Sequence, residues 1–244
     1  MDSAEEHNTE ERTDLGMTSA AIDPAILSVV SVDVVALTYD VSARRVLVAT
    51  HARETEPYRG ERALPGVVVR SGERLREAAL RAVAKLGIDV PPSALGQLQT
   101  FDEPSRDPRG PSLSIAMWAT FWNDERIHTP HTLWEPLDHA PALVFDHSTI
   151  VTTARRLLAE RLWRDLDFTR GLTGAEFTAT DAVAITRQLT DAEVHRANLN
   201  RDLARIDVLT EAGVAPTSGG RPPKLWRWAA DDAGLLPPGR SDLA

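Results

Sequence analysis

LPGVVVRSGERLREAALRAVAKLGI, residues 64–88, is the tract on which the fold turns. Its first six residues, Leu64 to Val69, are short, apolar and extended. From Glu73 to Leu86 the residues Leu75, Ala79, Val83 and Leu86 recur at three- and four-residue spacing. That spacing predicts a helix with one buried face, and Gly87 supplies its stop. Glu73 and Glu77 are the only acids on this helix, one turn apart. Two carboxylates at that spacing are ordinary for a solvated helix edge.

Upstream, residues 27–39 (LSVVSVDVVALTY) are apolar and rich in β-branched residues, as in a buried strand. Asp40 to Ala43 makes a turn, and Arg45 to Thr50 returns as a second strand. A polar loop, HARETEPYRGERA, leads into Leu64. Downstream, Gln97 to Phe101 is a short strand, DEPSRDPRGP a loop, and Ser112 to Trp122 a long alternating strand. Residues 124–145 are irregular and punctuated by proline. A helix is expected from Asp146 to Arg164, capped by Asp146 or Ser148, with Ile150, Ala154, Leu157, Leu158 and Leu162 facing inward. From Phe177 onward the pattern changes to helix, turn, helix and hairpin. The expected class is therefore α+β: an α/β/α sandwich with a mixed sheet (residues 27–164), then a winged helix-turn-helix unit (165–230). An acidic, disordered tail (1–26) precedes them and a flexible tail (231–244) follows.

The signature of the Nudix fold reads G-x5-E-x7-R-E-U-x-E-E-x-G-U, with U aliphatic, and residues 64–88 resemble it. Leu64, Pro65 and Gly66 fit the approach, Glu73 the first glutamate and Arg81 the arginine. Val67 stands where the signature begins with glycine. In place of E-U-x-E-E come Ala82, Val83, Ala84, Lys85 and Leu86, one residue short before Gly87. The family's glutamates hold Mg²⁺, which activates water and neutralises pyrophosphate. That chemistry needs several converging carboxylates. The resemblance thus implies the fold without the hydrolase: no metal, no cofactor and no catalytic residues.

Three further stretches narrow the resemblance. HARETEPYRGERALPG is similar to a pattern of E-P-x-x-G followed by a basic or aromatic residue and LPG. LQTFDEPSRDPRG is similar to T-F-G-x-P-x-R-D-P-R-G. NLNRDLARIDVLTEAG and the later GRPPKLWRW resemble N-F-R-R-x-L…L-x-E-T-G…G-R-P-x-x-L-Y-R-F. Together, from Ser28 to Trp228, they resemble the Nudix-related transcriptional regulators of NAD metabolism known as NrtR. That resemblance implies a homodimer that binds palindromic double-stranded operator DNA. It also implies an ADP-ribose-like nucleotide that releases the DNA. Two other readings fit the same residues: an active Nudix hydrolase with an accessory domain, and a regulator that uses its Nudix unit only to dimerise.

A diphosphate needs guanidinium or amide partners. Arg59, Arg62, Arg106 and Arg109 are the candidates, with Tyr58, Phe101 and Trp118 to stack on or pack against a base. Asp107 equally suits a turn-bracing pair with an arginine. In the second unit, Phe177 anchors a core and Thr178 or Thr180 caps a helix running to about Leu189. Thr190, followed by Asp191 and Glu193, is expected to cap the next helix. That helix carries His195, Arg196, Asn198, Asn200, Arg201 and Arg205, over a buried side of Val194, Leu199, Leu203 and Ile206. Arginine reads guanine and asparagine reads adenine in a major groove. Arg221 at the hairpin tip and Lys224 on its second strand are expected on the DNA backbone. Leu199 and Asn200 depart from the family's phenylalanine and arginine, Trp226 from its tyrosine, and Asp202 adds an acid beside the basic face.

The net charge is −9, yet residues 1–26 alone hold seven acids against one base. Residues 168–230 hold eight bases and seven acids, so DNA contact rests on local patches rather than the sum. There is no cysteine, hence no disulfide or thiolate site. The sequence carries no long apolar span and no secretory signal, and a cytoplasmic location is expected.

Overall fold

The computed structural model describes residues 28–216 and 222–229. Both expected tails and Arg221 lie outside the described residues.

Strand β1 (Val29–Asp40) is apolar along most of its length because both of its faces are covered. Val32, Val34 and Ala36 point into one core, and Val35, Leu37 and Tyr39 into the other. β1 runs parallel to β6 (Ser112–Phe121) and antiparallel to β2 (Arg45–Ala52). The sheet is completed by β3 (Arg62–Ala63), β4 (Gly66–Val68), β5 (Ala94–Phe101) and β7 (Leu133–Pro136). Its order is β3-β2-β1-β6-β5, with β4 on β1 and β7 on β2. A single parallel pair among antiparallel neighbours makes it the expected mixed sheet.

Helix α1 (Leu75–Val83) covers one face, burying Ala78, Ala79, Ala82 and Val83, and Gly87 ends the following turn in a left-handed conformation. The other face is covered by α2 (His147–Arg161) and α3 (Leu166–Thr173). One helix was expected through Arg164. The chain instead leaves the helix at Leu162, passes Trp163 at φ +65°, and restarts where Asp165 accepts from the Phe168 amide. No glycine or proline marks that break. Leu158 is fully buried whereas Leu157, expected inward, is only half-buried.

Beyond α3, β8 (Glu176–Thr178) leads into α4 (Ala179–Thr190), a five-residue turn, α5 (Arg196–Leu203) and the hairpin β9 (Leu209–Val214) and β10 (Lys224–Trp228). Thr178 caps α4, and Asp181 closes the reciprocal capping box. α4 runs through Thr190 and ends with Asp191 left-handed, so Thr190 does not cap the next helix. His195 holds that place. Phe177, Ala182, Leu199, Leu203, Leu209, Trp226 and Trp228 form this unit's core.

The junction expected at residue 164 is not a break in packing. Phe168 and Leu172 of α3, and Ile185 and Leu189 of α4, join the core of the large sheet. Two buried polar ties cross the same seam. Tyr39 Oη donates to Asp181 Oδ1 at 3.0 Å. Gln188 accepts from the Val46 amide at 3.0 Å and donates to the Arg44 carbonyl at 2.9 Å. Arg155 of α2 donates to the Gln188 carbonyl at 2.6 Å. Helix α4 is thereby fastened to β1, to β2 and to the turn between them.

Candidate ligand cleft and nucleic-acid face

Gly66 shows why the approach to α1 reads LPG. A Cβ there would lie 1.9 Å from Asp33 Oδ1, so only glycine lets β4 pair with β1 at that point. Asp33 is buried, and its Oδ2 accepts from Ser114 Oγ at 2.5 Å and from Arg106 at 3.2 Å. Arg106 also makes a bidentate pair with Asp146 at 2.8 and 2.9 Å. Burial opposes the guanidinium's charge, but the carboxylates outweigh it and raise the pKa. His147 sits beside them, with Nε2 3.6 Å from Asp33 Oδ1 and Nδ1 accepting from the Leu64 amide at 2.9 Å. That acceptor role leaves the proton on Nε2. Burial pushes the imidazole pKa down, keeping the ring neutral.

Next to this cluster an aromatic and cationic group gathers around half-buried Phe145. The Tyr58 ring meets it edge-on at 5.0 Å, the Arg53 guanidinium lies 4.7 Å above its centroid, and Arg109 lies at 5.8 Å. Tyr58 and Phe145 have φ of +65° and +56°, conformations costly for side chains of this size. Arg53 is held by the Pro57 carbonyl at 2.7 Å. Desolvation, then the nearby charge of Arg109, lowers its pKa. Cations over an aromatic face beside an exposed tyrosine can take an anion and a flat ring together.

Of the residues expected at the ligand, Tyr58 and Arg109 meet here. Arg59 is exposed, 3.9 Å from Glu56, and Arg62 pairs with Glu135. The other three lie elsewhere. Arg106 is the brace just described, with a side chain only 4% exposed. Trp118 is core: it packs on Phe168 at 5.2 Å and over Gly96, where a Cβ would come within 2.7 Å of the indole. Phe101 is half-buried against the same core. Alternation along a strand buried on both faces cannot separate a lining aromatic from a core one. Asp107 does brace the turn, pairing with Arg109 at 2.6 Å. Arg53 and Phe145 went unread because nothing local marks them. Their roles arise from tertiary proximity.

The donor set does not fit Mg²⁺. Both Glu73 oxygens are engaged by Arg81, at 2.8 and 2.7 Å, and Oε2 also accepts from the Arg70 amide. Arg81's hydrogen bonds hold the Glu73 carboxyl down at about 2. Glu77 Oε2 accepts from the Arg74 amide. Among the described residues, no three His, Cys, Asp or Glu side chains are grouped to hold a metal. Lys85 follows one turn after Arg81 and donates to the Gly66 carbonyl.

In the C-terminal unit, Leu199 and Leu203 are the buried residues of α5. His195, Arg196, Asn198, Arg201 and Arg205 are exposed around them. Arg205 pairs with Asp202 at 3.0 Å. Asn200, expected outward, is half-buried and accepts from the Trp226 indole at 3.3 Å, so it ties the helix to the hairpin. Lys224 is exposed and pairs with Glu211 at 2.6 Å. The outward face of α5 has the shape and chemistry to enter a groove of duplex DNA.

No helix among the described residues is long and apolar enough to cross a membrane. No family model matches the chain. Among curated proteins it is 27% identical over 189 residues to an ADPR-responsive transcriptional repressor, NtrR, of Acinetobacter baylyi, covering 74% of each protein. It is 31% identical over 102 residues to an ADP-ribose pyrophosphatase of Methanocaldococcus jannaschii, covering 41% of this chain and 60% of that protein. Among solved structures, Shewanella oneidensis NrtR in complex with a 27mer DNA superposes with a TM-score of 0.68 at 26% identity, covering 82% of this chain and 93% of that one. The chain is thus similar, over most of its length, to NrtR regulators both in sequence and in fold.

Proposed function

We propose that the chain is a DNA-binding transcriptional repressor. Its Nudix unit binds ADP-ribose or a related NAD-derived nucleotide, leaves it intact, and releases operator DNA in response. The observation that carries this reading is the helix α1. Where the hydrolase needs converging carboxylates it offers one glutamate locked by Arg81, then Ala82, Lys85 and Leu86. A site that holds the nucleotide without cleaving it suits a sensor. The S. oneidensis relative bound to DNA and the ADPR-responsive A. baylyi repressor support the two partners. The exposed face of α5 supports the DNA contact.

The acting form is a cytoplasmic homodimer, in which two copies of α5 address two half-sites. Tyr58, Arg59, Arg62 and Arg109 serve the ligand, joined by Arg53 and Phe145. His195, Arg196, Asn198, Arg201, Arg205, Arg221 and Lys224 serve the DNA. The division is a sensor over 27–164 and a winged helix over 165–230. The signal passes through the Tyr39–Asp181 and Gln188 ties and through α2. The ligand must bind the DNA-incompetent arrangement more tightly than the competent one.

The M. jannaschii match supports the second reading, an ADP-ribose hydrolase. One experiment separates the two. The protein is incubated with DNA from its own upstream region, with and without ADP-ribose, and separately with ADP-ribose and Mg²⁺. A mobility shift that ADP-ribose abolishes, with the nucleotide recovered intact, is expected. Turnover at ordinary enzyme rates, or no shift of that DNA, would overturn the proposal.

A further inference from the structure

Two residues that depart from the regulator pattern, Asn200 on α5 and Trp226 on β10, are bonded to each other. The Trp226 indole N–H donates to Asn200 Oδ1 at 3.3 Å. Trp226 is buried, so the acceptor end of the amide is turned toward the hairpin. The Nδ2 end makes no hydrogen bond among the described residues and is not one of their buried, unpartnered polar atoms. Both of its N–H groups therefore face solvent.

Helical spacing fixes where this amide stands. Leu199 and Leu203 mark the buried side of α5, and Arg201 lies opposite them. Asn200 falls on the flank between, beside the hairpin, one turn after exposed Arg196 on the same flank. Lys224 of β10 meets the same indole: its ammonium lies 5.8 Å from the centroid of the Trp226 ring and donates one N–H to Glu211 at 2.6 Å. A neutral donor and a cation are thus gathered around one ring in the notch between α5 and the hairpin. When a helix enters the major groove and its hairpin rests on the neighbouring backbone, a run of phosphates passes over that notch.

We propose that Asn200 is a phosphate-binding residue, its amide fixed by Trp226 so that the Nδ2 hydrogens donate to a DNA backbone phosphate crossing the notch. Resting on the DNA-binding reading above, this adds a contact, the chemical group it takes and the residue that positions it. Reading adenine would need both ends of the amide, one accepting from N6 and the other donating to N7. The indole already holds the oxygen, and donors alone suit a phosphate oxygen. The contact is neutral, so it orders the backbone without adding to the counter-ions that binding releases.

The test is titration of the full chain with the upstream DNA fragment that the wild type binds, its phosphates replaced one at a time by uncharged methylphosphonate. Asn200→Ala is expected to weaken binding to the unmodified fragment about tenfold per half-site, the loss of one charge-assisted hydrogen bond. At one phosphate in each half-site, methylphosphonate should weaken the wild type by a similar factor and leave Asn200→Ala unaffected. Trp226→Phe should lose about threefold, and at that same phosphate. The salt dependence of binding should match the wild type in Asn200→Ala, whereas Lys224→Ala should lower its slope by about one per half-site. Asn200→Asp keeps the acceptor for Trp226 but replaces the donors with charge. It should lose more than Asn200→Ala, and it serves if Asn200→Ala fails to fold, with thermal melts reporting folding. Wild-type affinity in a folded Asn200→Ala or Asn200→Asp overturns the proposal. So does a loss that tracks no single phosphate, or one that follows replacement of an adenine by 7-deazaadenine instead. A wild type that binds none of the DNA from its own upstream region overturns the DNA-binding reading, and this one with it.

Discussion

Arg106 and Arg196 are both arginines that the sequence offers as contacts, and the fold treats them oppositely. Arg106 lies in a loop yet is buried, fully paired between Asp33 and Asp146, and joins that loop to β1 and α2. Arg196 begins a short helix and is exposed. The sensor thus spends charge on holding its own shape, while the surface of α5 keeps charge free for something outside. The RDPRG loop repeats the contrast within four residues, with Arg106 turned inward and Arg109 outward over Phe145. A motif can therefore be both scaffold and contact, and burial decides which arginine does which.

The sharpest way to break this contrast is Arg106→Ala. It leaves buried Asp33 and half-buried Asp146 without their cation and should destabilise the fold by about 3–5 kcal/mol. Thermal or denaturant unfolding measures it. A loss typical of a surface site, below about 0.5 kcal/mol, would remove the brace. Arg196→Ala and Arg201→Ala should each weaken operator binding by about 1–3 kcal/mol while changing stability by less than about 0.5 kcal/mol. Titrations of operator DNA, paired with melts, test both halves of that statement. Normal DNA affinity in both variants would move the interface off α5.

Tyr39→Phe should have a smaller effect, about 1 kcal/mol from one lost hydrogen bond to Asp181. If the seam carries the signal, the same variant should blunt DNA release by ADP-ribose more than it lowers stability. An unchanged response would leave the transmission to α2. The last effect is a slope. His147 has a folded pKa below the ordinary 6.5, so the unfolded chain takes up its proton first as pH falls. Its contribution is fully present above about pH 6.5 and declines as the pH falls below that value. Melts between pH 5 and 8 should show that decline, and His147→Asn should flatten it.

The sheet and α1 were legible because period-2 and period-3.6 patterns are local. The ends of β1, expected near residues 27 and 39, fall at Val29 and Asp40. The break between α2 and α3 was hidden because Trp163 adopts a left-handed conformation that glycine or asparagine usually signals. β7 was hidden in a proline-punctuated stretch that pairs with β2 only because the sheet is already there. Trp118 looked like a ligand contact because an aromatic on a strand buried on both faces gives no sign of what it faces. Asn200 looked like a base reader because its place on α5 is polar, and only the hairpin's Trp226 gives it another partner. Arg53 and Phe145 are 92 residues apart in the chain and meet only after folding.

α5 is held from beneath by Leu199, Leu203 and the Asn200–Trp226 bond, while the exposed side chains of Arg196, Asn198 and Arg201 make no hydrogen bond or ion pair among the described residues. On the proposed reading, what the protein reads is thus decoupled from how it stands, and substitutions on that outer face exchange one operator for another without reopening the seam to the large sheet.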